Sequence, residues 1–234
     1  MFSETLKPFL VSIVFIVNFT SRMVQSTENI INPEKSISSK IFEKARRLFN
    51  TIGIRNTTMD DLAKELGISK KTLYKEIDNK ADLVKFCVKY DLAQTEKKIH
   101  SISASCENAI EELLLIAALI SEDLQLYHPS LLRDITKFYP ESRALIENHK
   151  ETFAQKNIYA NLKKGIKQGL YRKDINIELT TIFQLHLCLL PFELGGTNYP
   201  TTEVYKEVLK YNLFAIATPN GIEHLNLLIK KIKF

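Results

Sequence analysis

The 234-residue sequence predicts an all-α protein, with a small N-terminal three-helix head followed by a larger helical body. Three observations carry that expectation. Apolar residues recur at helical spacing through most of the chain from residue 38 onward, and no segment sustains the period-two alternation of a half-buried strand. The 7 glycines and 7 prolines mostly punctuate these periodic segments. A hydrophobic content of 45% with 25% charged residues suits a globular helical chain, and the length admits one large or two modest domains with a sizeable core.

The elements follow in order. Over 38–51, Ile41, Ala45, Leu48 and Phe49 share a face, with Lys and Arg opposite, and Gly53 ends the helix. Thr58 caps the next helix, with Asp61 placed to reach back in a capping box. Leu62, Ala63 and Leu66 are its buried stripe, and Gly67 supplies the positive φ of a sharp turn. Ser69 caps a third helix over 70–77. Asn79 caps a fourth that runs from Lys80 toward His100. A serine-rich joint over 101–105 then separates the head from an apolar helix over 109–126. Pro129 opens a new segment, and Pro140 starts a long amphipathic helix reaching Gly169. A turn over 174–177 precedes helices over 178–190 and 202–217, with a break over 195–200 between them, and a tail over 221–234 closes the chain. The domain reading is an extension and linker over 1–35, the head with its connecting helix over 36–100, and the body over 101–234.

The extension is unusual. Residues 9–19, FLVSIVFIVNF, are almost continuously apolar. Eleven residues are too few for a bilayer-spanning helix, which takes about 20. Lys7 before the run gives it the look of a signal-peptide core, but no A-x-A-like cleavage site follows. Three readings stand: translation begins at Met23, the segment is a flexible or partner-packed extension, or it is a membrane anchor or export signal.

Residues 58–77, TMDDLAKELGISKKTLYKEI, carry the most chemistry. Two short helices joined by a glycine turn form a helix-turn-helix, whose second helix fits the major groove of DNA. Leu73 and Ile77, four residues apart, pack on Leu62, Leu66 and Ile68 and set the tilt. The opposite face shows Lys70, Lys71, Thr72, Tyr74 and Lys75, with Ser69 at its start. Lys donates to guanine, Thr meets base edges or a thymine methyl, and Tyr donates to phosphate. Lys80 and Thr58, each at a helix start, suit phosphate oxygens. Charge agrees: residues 40–98 hold 14 Lys and Arg against 9 Asp and Glu, so the whole net charge of +5 gathers around this motif.

Residues 40–84 also resemble the N-terminal domain of TetR-family regulators. The resemblance rests on Ala45, Phe49, Gly53, Thr58, Leu62-Ala63, Gly67-Ile68-Ser69, Thr72-Leu73-Tyr74, Lys80 and Leu83. Ile77 departs from it, standing where the family usually has Phe, and Lys71 stands where a small residue is common. The resemblance implies a homodimer that docks one head in each half-site of a near-palindrome on double-stranded DNA. It also implies a body that binds an unidentified small-molecule effector and moves the fourth helix.

In the body, Ile182, Leu185 and Leu189 form one stripe, and Val204, Val208 and Tyr211 populate the helix over 202–217. Such stripes suit either a subunit core or a four-helix dimer contact, and the resemblance favours the contact. Phe138, Tyr139, His149, Phe153, Gln184 and His186 are candidate pocket residues, because pockets combine aromatic walls with a few polar anchors.

Other chemistry finds no support. Cys87, Cys106 and Cys188 stand far apart with no C-x-x-C pair, as in a reducing compartment. The five histidines lack metal-ligand spacing, and nucleophile-elbow and phosphate-loop motifs are missing from the sequence. The expectation is a cytoplasmic, ligand-responsive repressor that is not an enzyme and needs no metal or cofactor. Its rivals are a regulator of the same type that activates, and a helical interaction or membrane-associated protein held by the apolar N-terminus and a basic face.

Overall fold

The computed structural model describes residues 37–124, 128, 130–188, 190–191 and 198–231. The apolar segment over 9–19, Met23, Pro129 and Leu189 lie outside them.

Among the described residues the elements are helices, with an isolated antiparallel bridge between Tyr171 and Ala217 and a further bridge residue at Tyr199. Helix α1 (Ile37–Ile52) buries Ile41, Ala45 and Phe49. Helix α2 (Met59–Leu66) opens on the Thr58–Asp61 capping box and ends at Gly67, φ 65°. Helix α3 (Lys70–Glu76) is capped by Ser69, whose Oγ accepts the Thr72 amide, and Ile77 is its C-cap. Helix α4 (Lys80–Ser105) starts from Asn79 and runs straight through the expected serine joint. Serine is a weak helix former, but packing overrides propensity here. Ile99 and Ile102 belong to an apolar cluster, and Ser103 Oγ donates to Glu112 at 2.7 Å.

Helices α5 (Ala109–Leu124), α6 (Leu131–Phe138) and α7 (Pro140–His149) follow. The helix expected from Pro140 onward is one path with an interruption. A π-helical turn, Lys150–Ala154, joins α7 to α8 (Gln155–Lys167). Then come α9 (Ile177–Leu187), α10 (Thr201–Ile216) and α11 (Pro219–Lys231). The last corrects the expected tail: Thr218 Oγ1 accepts the Gly221 amide, and Leu225 is fully buried.

The head is not packed on its own. Its core of Ile41, Phe49, Leu62, Leu73 and Leu83 continues into Leu131, Ile135 and Ile146 from α6 and α7. The expected boundary at residue 100 therefore divides the chain in sequence but not in packing. A second core joins α5, α8, α10 and α11 around Tyr171, whose ring lies so close to Gly165 that a Cβ there would meet it at 2.1 Å.

Candidate nucleic-acid interface and regulatory cavity

The reading head is built from caps. Thr58 donates both its amide and its hydroxyl to Asp61 Oδ2, at 3.0 and 2.6 Å, and its Oγ1 accepts the Asp61 amide. These hydrogen bonds hold the exposed Asp61 carboxyl below its ordinary range. Thr58 thus fixes the start of α2 with the donors that the sequence offers to a phosphate. Ser69 likewise spends its Oγ on the Thr72 amide at 3.0 Å, 2.8 Å from Thr72 Oγ1. Lys70 pairs with Asp60 at 2.5 Å across the turn, both side chains well exposed.

Leu73 is fully buried and Ile77 nearly so, so the aliphatic residue fills the site where a Phe is usual. Lys71, Tyr74 and Lys75 are exposed on the opposite face of α3, and Thr72 is half-buried. Lys80 is half-buried at the start of α4. Burial lowers its pKa, while Asp134 and Asp61 pull it back up. The elements so arranged present a short cationic helix to solvent, propped from behind by leucines.

Within the body lies a cavity of about 100 Å³. Its walls are mainly apolar, including Ile99, Ile116, Ile120 and Leu209. Of the expected pocket residues, His149, Phe153 and Gln184 line it and three do not. Phe138 is 44% exposed beneath the Arg55 guanidinium, Tyr139 packs on the core of the head, and His186 is exposed with Nδ1 2.7 Å from the Ile182 carbonyl. An aromatic residue in sequence does not reveal which wall it faces. Thr95, Asn157, Asn161 and Asn212 also line the cavity. The i, i+4 spacing of Asn157 and Asn161 on one helix was a signal that could have found two of them.

The expected dimer stripes divide. Ile182 is 41% and Tyr211 71% exposed, with Leu179, Phe183 and Phe214 exposed beside them in sequence. Leu185 is buried, Val204 is half-buried, and Val208 lines the cavity. The exposed apolar face of α9 therefore shares Ile182 with the expected stripe but continues through Leu179 and Phe183 instead of Leu185.

Comparison with known proteins agrees with this architecture. Residues 41–86 match the family described as "Bacterial regulatory proteins, tetR family". The HTH-type transcriptional repressor KstR2 of Rhodococcus jostii is 25% identical over 193 residues, covering 78% of this chain and 92% of that one. An HTH-type transcriptional regulator of Staphylococcus aureus is 40% identical over 58 residues, 25% of this chain and 31% of its own length. Among solved structures, a transcriptional regulator from Cytophaga hutchinsonii has a TM-score of 0.63 at 22% identity, covering 77% of this chain and 98% of that one. A regulator from Saccharomonospora viridis, solved with choline, has a TM-score of 0.62 at 20% identity, covering 77% and 97%. These likenesses share the fold of a helical body behind a small reading head. Residues 41–86 thus carry a head of the tetR type, and the repressor aligned along the body and the shared architecture extend the likeness to most of the chain.

Proposed function

We propose that this chain is a TetR-family transcriptional repressor that binds a near-palindromic operator as a homodimer and releases it when a small molecule occupies the body cavity. The observation that carries this reading is the course of α4. Its first turn, at Lys80, adjoins the reading helix, and two turns near its other end place Thr95 and Ile99 at the cavity wall. A guest larger than the cavity has to displace that wall, and a rigid helix carries the displacement to the head.

The exposed apolar residues Ile182, Phe183, Tyr211 and Phe214 support a two-fold contact through α9 and α10. Lys71, Thr72 and Tyr74 then meet base edges and backbone, with Lys75 and Lys80 at phosphates. Ser69 and Thr58 hold the helix starts in register, and Lys70 reaches the backbone by leaving Asp60. The protein acts where the chromosome is, in the cytoplasm. Among the described residues no helix is long and apolar enough to cross a membrane.

Selection of bound sequences from random duplex DNA tests the reading. The expected product is a near-palindrome with half-sites separated by about 34–36 Å, or a multiple of it. Recovery of no common sequence at low salt overturns it.

A further inference from the structure

The cavity has a chemical selectivity of its own. Among the described residues lining it there is no Lys, Arg, Asp or Glu. A carboxylate or an ammonium group placed there gives up its hydration with no opposite charge in the wall to replace it.

His149 supplies a second observation. It is 5% exposed, and neither ring nitrogen has a hydrogen-bond partner. Glu96 Oε1 lies 3.0 Å from Nε2 but outside hydrogen-bonding geometry, and Glu96 is not part of the lining. Burial lowers the imidazole pKa to about 4, so near neutral pH one nitrogen donates and the other accepts. Buried polar groups nearly always find a partner, and this one faces an empty space. The π-helical turn directly after it sets Phe153 against the ring, centroids 4.9 Å apart, and both form one wall. Across the cavity Gln184 Nε2 donates to Asn212 Oδ1 at 3.3 Å, leaving the Gln184 carbonyl and the Asn212 amino group as an acceptor and a donor for a guest.

Building on the ligand-responsive reading above, we infer that the effector is an uncharged, mainly apolar small molecule whose hydroxyl or carbonyl group is held by His149, with Gln184 and Asn212 as further polar contacts. Its first-entering part is compact, since a cavity of about 150 Å³ admits a benzene-sized guest and this one is smaller. Larger guests enter by spreading the walls, which is the movement that regulation requires.

The test uses the full chain with four matched probes at equal concentration: benzyl alcohol, toluene, benzoate and benzylammonium. Benzyl alcohol is expected to raise the melting temperature and shift the His149 ring nitrogen resonances. Toluene is expected to bind about fivefold more weakly, the loss of one net hydrogen bond. The two ions are expected to do neither. His149→Phe keeps an aromatic ring without its nitrogens, and should reduce benzyl alcohol to the affinity of toluene. Val208→Phe fills the cavity from its half-exposed side and should abolish binding of both. If Val208→Phe does not fold, His149→Phe and the ring resonances decide.

An ion binding as tightly as the alcohol overturns the inference. So does no response to benzyl alcohol, or alcohol binding that ignores His149→Phe. Operator selection is scored separately. Selection that succeeds while a charged probe binds refutes the cavity chemistry alone, and failed selection with the expected probe pattern refutes the operator reading alone.

Discussion

The Arg46 guanidinium of α1 and the Asp91 carboxylate of α4 meet at 2.5 Å, with Asp91 almost wholly buried. They share a small cavity with Leu131 and Ile135, so this ion pair sits where the head, the connecting helix and α6 converge. Burial pushes the Asp91 carboxyl up from 3.8 to about 6, against the downward pull of Arg46. The folded protein therefore holds this proton more tightly than the unfolded chain. The resulting contribution to stability is fully present below about pH 4 and is lost as pH rises through about 6. Compared with Asp91→Asn, the native chain should lose stability across that window in urea titrations at stepped pH. A difference between the two proteins that is flat with pH would contradict the assignment. Asp91→Ala, which strips the half-buried Arg46 of its carboxylate, should cost up to about 3 kcal/mol, the lower end for breaking a fully buried pair.

Gly53 joins the head to the body by close approach. Its φ is +87°, and a Cβ there would lie 3.0 Å from Ser130 Oγ and 3.1 Å from His128 Nδ1. Gly53→Ala should destabilise by about 2 kcal/mol, combining left-handed strain with the contact. Gly67, at φ +65°, has open space where its Cβ would go, so Gly67→Ala should cost less. Equal losses in urea denaturation would show that the contact contributes nothing.

On the DNA side, Lys80→Ala should weaken binding to all sequences alike and reduce the slope of log affinity against log salt by about one unit. Lys71→Ala or Thr72→Ala should instead change the preferred base, at about 1–3 kcal/mol per good contact. An unchanged selected operator for Lys71→Ala would refute its base-reading role.

Phe183→Glu and Tyr211→Glu place charge on side chains that are 59% and 71% exposed, so the fold should tolerate them while a two-fold contact should not. Sedimentation should show monomers, with operator affinity lost. Persisting dimers would move the interface elsewhere.

The head was legible from sequence because its signals are local. The Thr58–Asp61 box, the Gly67 turn and the Ser69 and Asn79 caps all act within a few residues, and each formed where the chain proposed it. The body depends on distant contacts. Ser103 looked like a joint until Glu112 met it, and Leu185 looked like an interface residue until its burial against α8 was visible. Phe138 and His149 are both ring-bearing residues near one another in sequence, but one lies under Arg55 and the other at the cavity. Sequence alone does not tell such neighbours apart, because facing depends on the phase of each helix. The π-helical turn altered that phase without leaving a sequence mark.

That turn makes the chamber sensitive to chain length as well as to composition. Each residue of an α-helix advances the rotation by about 100°. Deleting one residue from Lys150–Ala154 would swing the whole of α8 around its axis, carrying Asn157 and Asn161 off the wall while every residue of the head stayed intact. Under the proposed regulation, a single-codon deletion there leaves operator choice alone and retunes which compound relieves it.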